Sequence, residues 1–231
     1  MPSSTNGAET HSEQAPGSLY YRGSAEPGQN PSASQEYIER MQETIVAVWD
    51  DTNPLPIGSG LLIYWNECLL TAIAPADVIG RFRRRGEASV YELWEDTPDG
   101  RRCCQMEGLR VASSGHGQIA RAVGQACEEF IAAIAVKPRT VRAAVAPSAK
   151  LYVALLRIRP FPMANDAIAY LSLNAAYRRV GLKWPGPGLV PRGKSSVGVE
   201  FNRAIARSLQ PNSPTLEPLI EFLAAKSSFI E

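Results

Sequence analysis

Histidine is almost missing from this 231-residue chain: only His11 and His116 occur. Metal centres built on several histidines are therefore excluded by number, and a histidine base would have to be His116, because His11 lies in a segment nearly devoid of aliphatic side chains. The four cysteines (Cys68, Cys103, Cys104 and Cys127) include no CxxC pair and read as reduced thiols in a cytosolic setting. Charge of either sign is not in excess. Lysine and arginine total 24 against 23 acidic residues, so the net charge of +1 creates no global field for nucleic acid or an acidic membrane. No apolar run approaches the ~20 residues that a membrane-spanning helix needs, and the opening MPSSTNGAETHSEQ lacks the apolar core of a signal peptide. One main soluble domain is expected, and no internal repeat is found.

What is present divides at about residue 112. Residues 1–33 are rich in Ser, Gly, Pro, Asn, Gln and Glu and read as a disordered tail. Ser32 and Ser34 are placed to cap a short helix through Tyr37, Ile38 and Met41. Residues 34–112 otherwise read as a β-rich N-terminal portion: strands at 44–49 (TIVAVW), 60–65 and 68–73, the last two joined by Asn66 and Glu67, then 89–96 and 101–111 around the turn Pro98-Asp99-Gly100. The hairpin at 88–108 is expected to be the exposed, flap-like piece. From Gln118 the apolar period becomes helical, through Ile119, Ala122, Val123, Ala126, Phe130, Ile131 and Ile134 to a stop at Pro138. Helices are predicted at 148–158, at 167–180 with Gly181 as the stop, at 199–209 and at 218–226, with a Pro/Gly loop at 184–193. Residues 113–231 thus form a helical core.

Between two of these helices lies Ile158-Arg159-Pro160-Phe161-Pro162-Met163-Ala164-Asn165-Asp166. A loop that leads into a helix N-terminus offers amide donors to an anion. Here the chain resembles the Fic/Doc (Fido) family, whose signature between two helices is HxFx(D/E)(G/A)N(G/K)R. The flanks are similar too: Leu155-Leu156-Arg157-Ile158 before the loop, Leu171, Leu173, Asn174 and Tyr177 to Leu182 after it, and the late segment Pro218 to Leu223. The resemblance spans residues from about 80 to 225. It implies a mainly α, Fic-like helical bundle with a β-rich N-terminal portion that includes a flap-like hairpin. It also implies protein adenylyltransferase chemistry: the histidine deprotonates a target hydroxyl, the acidic residue holds magnesium, and the small residues and arginine receive the phosphates of ATP.

This chain keeps Phe161, Ala164 and Asn165 but carries Arg159 for the histidine, Met163 for the acidic residue, Asp166 for the glycine or lysine, and Ala167 for the arginine. A guanidinium with a pKa above ~12 stays protonated and cannot act as a general base. A thioether is a poor ligand for magnesium, and a carboxylate beside the loop amides opposes phosphate. The expectation is a catalytically degenerate relative, a pseudoenzyme or protein-binding module of toxin, antitoxin or effector type, with no cofactor. Its target or regulatory partner would engage the groove beside the 88–108 hairpin by strand addition. The setting would be the cytoplasm, or delivery from it by a secretion system that needs no signal peptide. The alternative is an active Fic-type transferase of AMP or another phosphate-linked group, using ATP and magnesium, with Asp166 or His116 replacing the lost base. The bland expectations are that Asp166 caps its helix and that Arg159 pairs with a carboxylate such as Glu221 or Glu200.

Three other signals carry less. Gly188 to Ser195 (GLVPRGKS) satisfies the phosphate-binding pattern GxxxxGK[ST], but no buried strand precedes it. Gly58-Ser59-Gly60 with Leu69 to Ala72 resembles the first barrel of trypsin-like proteases, but the histidine expected at Ala74 is missing. Arg81, Arg83, Arg84, Arg85, Arg101 and Arg102 form a basic cluster, read as a solvated face since little aromatic interleaving points to nucleic acid.

Overall fold

A computed structural model describes residues 19–24, 35–50, 55–87, 89–97, 99–110, 117–183, 196–211 and 214–230. The expected readings at His11, His116 and Gly188 to Ser195 lie outside these residues. Most of what is described is helix: α1 (Gln35–Asp50), α2 (Ser59–Leu70), α3 (Gln118–Ile134), α4 (Val141–Ile158), α5 (Asn165–Val180), α6 (Ser196–Leu209) and α7 (Glu217–Ala225). The strands β1 (Leu19–Ser24), β2 (Val90–Thr97) and β3 (Gly100–Glu107) form one antiparallel sheet in the order β1-β2-β3. Among the described residues, no helix is long and apolar enough to cross a membrane.

α5 is the centre of the bundle. Thirteen of its 16 residues are buried, which is the condition of a helix covered on all sides rather than along one stripe. α4, α1 and α2 surround it. Ala167, Ala169, Ser172, Ala175 and Ala176 keep its circumference small, so neighbours approach closely, while Tyr170, Leu171 and Tyr177 fill the space between them. Its end is the predicted one: Gly181 takes φ 74° and the Leu182 N–H reaches back to the Tyr177 carbonyl at 3.0 Å.

The strands expected at 44–49 and 60–65 are helical instead, and the one expected at 68–73 is the end of a helix followed by a turn from Thr71. In α1, Tyr37, Met41, Ile45 and Val48 fall at helical spacing and pack on the core, and Trp49 donates from Nε1 to Asn174 Oδ1 on α5 at 3.3 Å. Tertiary burial of that stripe outweighs the β-branched run. In α2, Leu62, Trp65, Asn66, Leu69 and Leu70 are buried, an i, i+3, i+4, i+7, i+8 pattern. Asn66, expected in a hairpin turn, is wholly buried. α4 begins at Val141, earlier than the expected Ser148, because Thr140 Oγ1 accepts the Ala143 N–H at 3.2 Å and the helix continues through Pro147.

The 88–108 hairpin is present. Leu93 pairs with Cys104 and Tyr91 with Met106, and this face packs on the core. Its base is closed by the Gly108 N–H, which donates to the Ser89 carbonyl at 2.8 Å, and is tied to α4 by the Leu109 N–H, which donates to the Arg157 carbonyl at 3.0 Å. The tail reading of residues 1–33 is corrected at Leu19–Ser24, which is a strand paired along β2.

Candidate functional site

The loop between α4 and α5 begins at Arg159, which ends α4 in the left-handed region with φ 47° and ψ 66°. That turn aims the side chain back under the hairpin, where none of it is exposed. Nε donates to Ser89 Oγ at 2.8 Å, Nη1 meets Asp166 Oδ1 at 3.2 Å, and the guanidinium lies 5.9 Å from the centre of the Tyr91 ring. Gly108 makes room for the stem: a Cβ on that residue would fall 2.9 Å from Arg159 Cβ and 3.1 Å from Cγ. The carboxylate partner is thus Asp166, and not Glu221 or Glu200.

Asp166 lies in the first turn of α5, where a negative charge suits the helix dipole, but the N-cap position is Ala164 and carries no side-chain cap. The expected capping role of Asp166 is therefore corrected to that of a counter-ion. Its charge also reaches α4. The Tyr152 hydroxyl has its proton affinity raised well above the ordinary value, first by complete burial and then by the nearby Asp166 carboxylate. Burial likewise raises Tyr91, opposed by Arg157 and Arg159.

Asn165 closes the loop on itself. Its Oδ1 accepts the Phe161 N–H at 2.9 Å, and its Nδ2 donates to the Phe161 carbonyl at 2.8 Å and to Ser89 Oγ at 3.3 Å. Phe161 is buried with its ring 5.2 Å from that of Phe82. Ala164 bends the chain with φ 64°, and its carbonyl accepts the first helical bond from Ile168 at 3.0 Å. Met163 is fixed through its backbone: the carbonyl accepts from Asn66 Nδ2 at 3.2 Å, while Asn66 Oδ1 accepts the Gly80 N–H at 2.9 Å.

Four residues that hold this site were not legible as site residues in the sequence: Ser89, Gly108, Asn66, read as a turn, and Arg83, read as part of a solvated basic face. Arg83 is the largest correction to the basic cluster. It is buried, and its guanidinium donates to the carbonyls of Arg159 (2.5 Å), Ile158 (3.0 Å), Leu109 (3.0 Å) and Glu87 (2.6 Å). A cation on the last carbonyls of α4 satisfies groups that have no intrahelical partner and complements the helix dipole. Arg81 is likewise engaged, by both oxygens of Glu87 at 2.6 and 2.7 Å. The cluster is therefore in part the scaffold of the hairpin base.

Two grooves lie nearby. One of about 340 Å³ runs between the hairpin base and the ends of α4 and α6, past Met106, Leu109, Ile158 and Leu209. A larger one, about 870 Å³, is bounded by α1, α2 and the end of α5 and does not include the motif loop. Among the described residues, no group of three or more His, Cys, Asp or Glu is placed to hold a metal ion.

The fold is similar to that of several solved Fic domains. The N-terminal Fic domain of a cell filamentation protein, a VirB-translocated Bep effector from Bartonella quintana, is 15% identical, with a TM-score of 0.57 over 84% of this chain and 82% of that one. The BepC effector protein from Bartonella tribocorum, solved with AMPPNP bound, is 13% identical with a TM-score of 0.58, covering 85% and 87%. The Fic domain of Bep5 from Bartonella clarridgeiae is 12% identical with a TM-score of 0.56, covering 89% and 86%. At these identities the likeness is one of fold. No protein-family model matches the sequence, and no curated protein does.

Proposed function

We propose that this chain is a Fic-fold protein without AMP transfer, a pseudoenzyme that works by binding another protein through its hairpin. The observation that carries the reading is Arg159: a fully buried guanidinium, held by Ser89 and Asp166, stands where the Fic resemblance requires a histidine base. Arginine cannot accept a proton at physiological pH. Its engagement with Asp166 also occupies one of the two residues considered in place of the base. The donor set points the same way. Met163 brings a thioether to the position of a magnesium ligand, Ala167 brings a methyl to that of the phosphate clamp, and Asp166 sets a carboxylate at the helix N-terminus. These side chains do not fit magnesium and a triphosphate held in the Fic manner.

What remains usable is surface. β3 is mostly exposed along its length, and the groove at the hairpin base is lined in part by apolar Met106, Leu109, Ile158 and Leu209. An extended partner segment fits such an element through main-chain hydrogen bonds.

The test is label transfer. The full chain, incubated with α-labelled nucleoside triphosphates, magnesium and a cell lysate, should label neither itself nor any lysate protein, and no nucleotide should raise its melting temperature saturably. Arg159→His should not gain transfer, because three further positions remain changed. Transfer by the unaltered chain, lost in Asn165→Ala, would overturn the reading.

A further inference from the structure

β2 has two edges, and both are covered. β3 lies on one as the second arm of the hairpin; on the other lies β1, from Leu19↔Glu95 to Ser24↔Tyr91, with a slip in register between Tyr21 and Gly23. The segment is laid along α6 as well as β2 and touches α5. It is joined to α1 by ten residues, 25–34 (AEPGQNPSAS), a tether that can reach ~33 Å when extended. Without β1, β2 would present a row of unpaired N–H and C=O groups, which is a template for any extended chain. β2 is also the strand that brings Tyr91 over Arg159, so the covered edge belongs to the candidate site itself.

We propose that Leu19–Ser24 is an internal stand-in for a partner's extended segment, covering the edge of β2 until a partner strand displaces it. A six-residue strand at the end of a sheet opens at far lower cost than the global unfolding of a bundle. The occupant that replaces it is a polypeptide strand antiparallel to β2, read by its main chain, with one extra residue where Arg22 has no partner opposite it. This rests on the hairpin being the binding element. Label transfer would sink the pseudoenzyme reading and leave strand exchange intact, whereas failure of exchange leaves the label-transfer result untouched.

The probe is a fluorescein-labelled peptide of residues 17–26 (GSLYYRGSAE), tested on the full chain and on the full chain carrying Tyr20→Pro with Tyr21→Pro. Neighbouring residues of an antiparallel strand alternate in which way their amides point, so one of the two prolines removes a ladder donor. If β1 covers the edge in nine molecules of ten, the peptide should bind the double variant about tenfold more tightly than the unaltered chain. Hydrogen exchange at the alternate amides of Tyr91 to Glu95 that face β1 should be faster in the variant and slowed again by the peptide. Equal binding to both chains overturns the proposal. So does no binding to a variant whose β2 amides have become unprotected, or unchanged protection of those amides. A dimer of the unaltered chain that the peptide dissolves overturns the assignment of β1 to its own molecule. Should the double variant fail to fold, a protease site inserted between Gly28 and Gln29 replaces it. After cleavage, excess peptide should release the N-terminal fragment, and retention of that fragment overturns the proposal.

Discussion

Arg159→Met leaves a hydrophobic stem of similar length under the hairpin and strips Asp166 of its cation. The same left-handed backbone is imposed on both residues, so that strain cancels in the comparison. Lost are the Nε bond to Ser89 at 2.8 Å and the contact with Asp166 at 3.2 Å. Removing one partner of a buried pair costs about 3 to 5 kcal/mol. Asp166 keeps 17% of its side chain exposed, so water reaches the abandoned carboxylate and the lower bound, about 3 kcal/mol, applies. Asp166→Leu should cost more, about 4 kcal/mol, because Arg159 has no exposure through which to recover hydration. The double variant Arg159→Met with Asp166→Leu should lie within about 1 kcal/mol of the unaltered chain, since two apolar side chains replace both charges. Urea unfolding followed by circular dichroism measures all three, with unchanged m-values as the check that only stability moved. In a chain of this size Arg159→Met should lower the melting temperature by about 6 to 12 °C and Asp166→Leu by about 8 to 16 °C. Additive losses, with the double variant the least stable of the set, would refute the pairing and with it the case against the residual chemistry of Asp166.

Gly108→Ala should destabilise through collision with the Arg159 stem at 2.9 Å, and in an Arg159→Gly background, which lacks that stem, the same substitution should leave the thermal melt unchanged. Tyr152→Phe deletes a fully buried hydroxyl that has no hydrogen-bond partner among the described residues; it should leave stability unchanged or raise it by about 1 kcal/mol, and a loss would reveal a partner. Burial, aided by Glu128, pushes the Cys127 thiol up to about 11, while Cys103 is exposed; an aromatic disulfide reagent at pH 8 should modify Cys103 at once and Cys127 only as fast as the bundle opens. Glu87 has its carboxyl held below the ordinary value by hydrogen bonds from Arg81 and then by the Arg84 N–H, so its stabilising contribution is present above about pH 4.5 and lost as the pH falls through the lowered folded value; Glu87→Gln should flatten stability across that acid window, and an unchanged slope would discount the pair.

The sequence by itself determined the helical core and the positions at which its motif loop departs from the Fic signature. Periodicity from Gln118 onward fixes α3, and Gly181 ends α5, because an apolar stripe and a left-handed stop are local properties that need no knowledge of neighbours. The alternation in Ser89 to Asp96 and the turn at Pro98 to Gly100 likewise specify the hairpin. The four side chains that differ from the Fic signature, Arg159, Met163, Asp166 and Ala167, can be read whatever the fold does with them. Tertiary structure decided the rest. Continuous apolar runs such as TIVAVW and GLLIYW suit a buried helix as well as a strand, and only burial against α5 chooses between them. The partner of Arg159 depended on the left-handed turn that ends α4, which swings the side chain under Ser89 and onto Asp166, seven residues on, rather than across to another helix. Arg83 and Leu19–Ser24 were the least legible. A buried arginine on helix-end carbonyls and a short strand drawn from a polar segment both exist because backbone groups elsewhere need partners, and that need arises only once the chain has folded.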